Sequence, residues 1–99
     1  MTSFTQHLAE DRRLRILELL HECGGKANES VILTALCNIG HSRLTRQLVR
    51  DDLRFLSDRG VLMEEWLDDL IIAKITRRGV DTVKGNLSIE GVKAPSIGV

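Results

Sequence analysis

Five side chains between residues 43 and 54 carry the densest chemical signal in the chain: Arg43, Arg46, Gln47, Arg50 and Arg54. Advanced by about 100° per residue, as on a helix, they gather into an arc of roughly 100° with no acidic residue among them. A guanidinium presents a planar fork of donors that grips phosphate or reads a guanine edge, and glutamine pairs with adenine. The set therefore suits a helix laid in the major groove of double-stranded DNA. The plainer alternative is a solvated helix face, on which a pair such as Arg54 and Asp58 adds only about 0.3–0.5 kcal/mol.

Other groups bear on the choice. Glu64, Glu65, Asp68 and Asp69 cluster around Trp66, and near phosphates those charges repel. They mark either a solvated hairpin that stays clear of DNA or a protein-docking edge with Trp66 as its aromatic anchor; a tryptophan is more often a core residue than an anchor. Arg77 and Arg78, at a helix start, are placed to touch phosphate or to face solvent. Asp52 falls within the apolar stripe Leu48, Val49, Leu53 and Leu56, where a lone carboxylate is costly. It needs a partner, expected among Arg12, Arg13 and Arg15. His21, Cys23, Cys37 and His41 offer zinc-type ligands from neighbouring helix ends. Both cysteines, however, sit near apolar stripes and read as small buried hydrophobes, so no metal and no cofactor is expected. The chain contains no phosphate-binding glycine loop, and neither cysteine has the setting of a nucleophile; no enzyme is expected.

These residues require elements to position them. Leu8, Leu14, Ile16, Leu17, Leu20 and Cys23 recur at helical spacing, predicting a first helix from Thr5 to Cys23, stopped by Gly24-Gly25. Asn28 caps a second helix with Ile32, Ala35, Leu36 and Ile39 inward, and Gly40 stops it. Ser42 caps a third helix, 42–59, that carries the arginine arc and ends at Gly60. Val61 to Trp66 and Leu70 to Thr76 form a β-hairpin around Leu67-Asp68-Asp69. Thr76 opens a short fourth helix that ends at Gly85, and residues 86–99, with Gly91, Pro95 and Gly98, read as a flexible or loosely docked tail.

The 99 residues, 42% hydrophobic and 28% charged, suffice for one core. One domain over 5–85 is expected, α+β and mostly α. No apolar run is long enough for a membrane span and no export signal opens the chain, so a cytoplasmic location is expected. The formal net charge of zero counts against nucleic-acid binding by total charge and leaves the argument to charge distribution.

The run Val49-Arg50-Asp51-Asp52-Leu53-Arg54-Phe55-Leu56-Ser57-Asp58-Arg59-Gly60-Val61-Leu62 resembles the end of the recognition helix and the first wing strand of bacterial winged-helix regulators of the DeoR and ArsR-like groups. Ile75-Thr76-Arg77-Arg78-Gly79 is similar to the Leu-Thr-x-x-Gly that follows the wing in many such domains. Gly91-Val92-Lys93-Ala94-Pro95 resembles the small winged-helix proteins of Mu-like prophages. The resemblance implies a winged helix-turn-helix: a three-helix core, a two-stranded β wing and a short C-terminal helix. It also implies a DNA-binding transcriptional regulator that inserts helix 42–59 into the major groove. Such regulators commonly act as dimers, and helix one or the tail is the expected dimer element. The third helix lacks the Cys-x-Cys of metal-sensing ArsR proteins, so that route of sensing is not expected. The acidic wing supports an alternative, a protein–protein interaction module using the wing and Trp66. DNA binding requires an exposed, contiguous basic face; the interaction reading requires an exposed apolar patch around Trp66.

Overall fold

The structure, a computed structural model, describes residues 3–96. Helix α1, Phe4–Glu22, opens on a capping box in which the Gln6 N–H donates to the Ser3 hydroxyl at 3.1 Å and the Ser3 N–H donates to Gln6 Oε1 at 3.4 Å. It ends where Gly24 and Gly25, with φ of 79° and 103°, take a backbone that L side chains disfavour. Strand β1, Lys26–Asn28, follows. Asn28 then caps α2, Glu29–Asn38, accepting from the Val31 N–H at 2.9 Å.

Helix α3, Arg46–Asp58, begins three residues later than a Ser42 cap would start it, because Thr45 takes the capping role and accepts from the Leu48 N–H at 3.1 Å. Arg43 consequently lies outside the helix, in the preceding turn, with φ of 60°. Strands β2, Leu62–Leu67, and β3, Leu70–Ile75, form the hairpin, in register from Leu62↔Ile75 to Leu67↔Leu70. Helix α4, Arg77–Val83, is capped by Thr76, whose hydroxyl accepts from the Gly79 N–H at 3.1 Å. Gly79 is set so close to the Val61 carbonyl and the Ile75 side chain that a Cβ there has no room.

Among the described residues the result is an α+β, mostly helical fold with four helices and one antiparallel sheet of three strands, ordered β1-β3-β2. A two-stranded sheet was the expectation. The third strand arises because Lys26, Ala27 and Asn28 pair with Lys74, Ala73 and Ile72. The core lies between helices and sheet: Leu17 and Leu20 of α1, Ile32 and Leu36 of α2, Val49, Leu53 and Leu56 of α3, and Leu62 and Ile71 of the hairpin are buried.

Two expectations are corrected. Residues 86–96 are docked rather than loose: Ile89 and Val92 are buried in the same core, Arg13 donates to the Gly91 carbonyl at 2.9 Å, and the Lys93 N–H donates to the Glu10 carbonyl at 3.2 Å. The last part of the expected tail, 97–99, lies outside the described residues. Cys23 and Cys37 are both exposed free thiols rather than buried hydrophobes, Cys23 at the C-terminal cap of α1 and Cys37 in the last turn of α2. Among the described residues no helix is long and apolar enough to cross a membrane.

Candidate functional site

The arginine arc is built around a carboxylate that sequence reasoning missed. Glu29 is the first residue of α2, and its side chain is 0% exposed. It accepts from Arg50 Nε at 2.6 Å and Nη2 at 3.0 Å, and from the Ile71 N–H at 2.6 Å, with Arg46 Nη1 at 3.2 Å. One buried carboxylate thus joins the start of α2, two turns of α3 and strand β3. The Arg50 hydrogen bonds hold the Glu29 carboxyl below the usual carboxylate range against the opposing effect of burial, aided by the Ile71 N–H and the charges of Arg50 and Arg46.

The rest of the arc is also engaged. Arg50 donates to the Asp69 carbonyl at 2.8 Å, and its guanidinium carbon lies 5.1 Å from the Trp66 ring centroid; its side chain is 27% exposed. Arg46, half-exposed, also donates to the Ser30 hydroxyl at 3.0 Å. Arg54 reaches Glu64 of the hairpin through Nε and Nη2, both at 3.4 Å, and that carboxylate raises its pKa. Gln47 Nε2 donates to Asp51 at 2.8 Å. Arg43 forms no ion pair among the described residues.

The orientation of α3 explains this pattern. Its buried stripe is Val49, Asp52, Leu53 and Leu56, and the opposite, outward ridge is Gln47, Asp51, Arg54 and Asp58, all exposed. The arc is rotated from that ridge toward α2 and the hairpin. Arg46 and Arg50 therefore turn to Glu29, while Asp51 and Asp58 occupy the solvent side. The basic groups thus border a ridge that also carries the acids Asp51 and Asp58.

The hairpin presents a different surface. Met63, Trp66 and Leu67 are exposed, Trp66 at 55%, so tryptophan is not part of the core. The register places Met63, Glu65 and Leu67 on one face with Lys74, Ile72 and Leu70, where Glu65 and Lys74 pair at 3.1 Å. Asp68 and Asp69 are exposed at the turn. Arg77 and Arg78 are exposed, and Arg78 donates to the Arg59 carbonyl at 2.9 Å, satisfying the C-terminal end of α3.

Asp52 finds the partner expected for it, in fact two. It is bound by Arg12 Nε, by Arg12 Nη2 at 3.1 Å and by Arg13 Nε at 3.2 Å, whereas Arg15 turns to Glu18 at 2.6 Å and Asp11 at 3.3 Å. The residues His21, Cys23, Cys37 and His41 are not brought together. His41 Nε2 sits 2.9 Å from Asp11 Oδ2, and no group of three or more His, Cys, Asp or Glu side chains converges as a metal site among the described residues.

Fold and surface together define a small α+β domain with a helix–hairpin polar junction. The chain belongs to the family of the uncharacterized protein gp26 of Escherichia phage Mu, with which it is 36% identical over 88 residues, covering 89% of this chain and 91% of that protein. An uncharacterized protein of Haemophilus influenzae is 42% identical over 77 residues, covering 77% of this chain and 74% of that protein. No protein-family model and no solved structure matches the chain.

Proposed function

We propose that this chain is a winged helix-turn-helix domain that works as a protein-docking module, with the β2–β3 hairpin as its contact surface. The element order, with a capped third helix leading into a hairpin that pairs with a short strand before the second helix, supports the winged-helix reading. The observation that carries the docking reading is the hairpin itself: Met63 and Leu67 are exposed on one face of β2 beside Glu65, and Trp66 is exposed on the other, with Asp68 and Asp69 at the turn. Exposed apolar side chains at the tip of the hairpin, flanked by acids, suit a contact surface that wraps the tip, and aromatic anchors carry much of the energy at such surfaces. The partner it fits is a protein surface with an apolar depression and a basic margin.

A second reading, DNA binding, is favoured by the N-terminal corner of α3, where Arg43, Arg46 and Gln47 are all exposed. Helix-turn-helix domains reach base edges from that end. In this reading Arg50 is a structural residue rather than a base contact, and Arg54, Arg77 and Arg78 are peripheral.

Site-specific photo-crosslinking in the native host separates the two. With a photoreactive amino acid in place of Trp66, the docking reading expects a discrete protein adduct that Met63→Lys with Leu67→Lys removes. With the same group in place of Gln47 it expects no nucleic-acid adduct. Nucleic-acid adducts at position 47 and none to protein at position 66 reverse the assignment.

A further inference from the structure

In the order β1-β3-β2 the hairpin strand β2 is an outer strand of the sheet, and the ladder fixes which of its main-chain groups face outward. Along β3, the Ile71 N–H donates to Glu29 at 2.6 Å and the Ile75 N–H donates to the Gly25 carbonyl at 2.8 Å, both away from β2. Their partners across the hairpin are Trp66 and Leu62, with Glu64 opposite Ala73 between them. Bonded and non-bonded positions alternate in an antiparallel pair, so the N–H and C=O of Leu62, Glu64 and Trp66 point off the outer edge. Leu62 is buried, whereas Glu64 is partly and Trp66 well exposed. No turn, loop or side-chain hydrogen bond among the described residues uses the main-chain groups of Glu64 or Trp66.

Proteins commonly blunt such an edge with a proline, a bulge, a lysine or a very short strand. The other edge, β1, is blunted in this way: it is three residues long and begins with Lys26. Strand β2 has six residues, Leu62–Leu67, paired without a bulge and free of proline, lysine and arginine.

We propose that β2 takes up an extended segment of a partner protein as a further strand of the sheet, with apolar and basic residues alternating along that segment. The proposal rests on the docking reading above and gives it a mode: main-chain hydrogen bonds to Glu64 and Trp66 supply affinity, and side chains supply specificity. Charge selects the occupant. On the face of Met63, Glu65 and Leu67, the stems of lysine or arginine lie over Met63 and Leu67 and bring their charge to Glu65 and the turn. There the side chains of Asp68 and Asp69 form no ion pair among the described residues. On the opposite face Arg50 lies over Trp66 and Arg54 reaches Glu64, so the segment presents apolar residues to that side. A second copy of β2 is the wrong occupant, because antiparallel pairing centred on Glu64 and Glu65 sets acid beside acid.

Amide hydrogen exchange of the isotope-labelled full chain, followed by NMR with a synthetic peptide of alternating valine and lysine matched in length to β2, tests the proposal. With the peptide bound, the N–H groups of Glu64 and Trp66 should exchange roughly tenfold more slowly, while those of Met63, Glu65 and Leu67 are already protected in the free chain. Peptides N-methylated at alternate residues separate strand addition from simple charge attraction. One set of methyl groups faces β2 and removes binding; the other faces solvent and leaves it. Glu64→Pro stays folded, because the Glu64 N–H has no partner in the chain, and loses the peptide, whereas Glu64→Ala keeps it. A peptide that fails to bind, that leaves the Glu64 and Trp66 amides exchanging as before, or that binds equally in both N-methylated forms overturns strand addition. Failure of the docking reading is distinguishable: a protein adduct at position 66 in the host, with the edge amides unaffected, keeps docking and removes this mode alone.

Discussion

Replacing Glu29 with glutamine removes a charge from the junction of α2, α3 and β3 while keeping its shape. The amide oxygen still accepts from the Ile71 N–H, which the native carboxylate holds at 2.6 Å, so that backbone donor keeps its partner while the new amide NH2 is set against the arginine donors. What is lost is the ion pair with Arg50, at 2.6 and 3.0 Å, and with Arg46, at 3.2 Å. Removing one partner of a fully buried pair costs about 3–5 kcal/mol, and a hydrogen bond to a charged group is worth about 1.5–3 kcal/mol. Both arginines reach water, so the lower part of those ranges applies, about 2–3 kcal/mol. For a domain of this size that corresponds to a fall in melting temperature of about 10–20 °C. The pH dependence follows from the same contacts. Arg50 holds the folded Glu29 carboxyl below its ordinary value of 4.5. Its contribution is therefore fully present above that value and is lost as pH falls through the lower, folded one. Urea unfolding of the wild-type protein and of Glu29→Gln, followed by the single tryptophan, should show the full gap at neutral pH and a closing gap in acid. A neutral-pH difference below about 0.5 kcal/mol, the size of an ordinary surface substitution, or two parallel pH profiles, refutes this reasoning.

Asp52→Asn leaves the Arg12 and Arg13 guanidiniums facing a neutral amide and should cost about 3 kcal/mol in chemical denaturation. Gly79→Ala drives a Cβ into the Val61 carbonyl and Ile75; a loss of about 1–3 kcal/mol is expected in thermal melts. Truncation after Gly85 removes Ile89 and Val92 from the core and should cost about 2–4 kcal/mol, read as a lower urea midpoint. A tail that served only as a tether would leave the midpoint in place.

Local features were readable from the chain. Asn28 has a capping side chain followed by apolar residues at helical spacing, and Gly24-Gly25 and Gly60 end their helices. Asp52 stood out because a charge within an apolar stripe demands a partner, and two of three proposed arginines supply it. What escaped depends on long-range contact. Strand β1 is three residues long and exists only because β3 lies beside it. Gly91 and Lys93 reach α1 across some eighty residues of sequence, which no local pattern records. Ser42 and Thr45 are both capable caps three residues apart, and choosing Thr45 removes Arg43 from the helix. Above all, a helical wheel shows which residues share a face but not what that face meets. The arc of Arg46, Arg50 and Arg54 was correctly seen as one face; that it meets Glu29 and Glu64 is a property of the packed structure, and Glu29 in the sequence is an ordinary first-turn acid.

Carboxylates of this chain hold Arg46, Arg50 and Arg54 of α3, an arrangement that disfavours phosphate binding by this face. Titration of a generic labelled DNA duplex at low and at physiological salt tests it directly, with Arg43→Ala, Arg46→Ala as the control variant. The account predicts no salt-steep association at either concentration and no difference between wild type and variant. Tight binding at low salt that falls steeply with added salt, and that the variant loses, contradicts it and places the N-terminal corner of α3 on DNA.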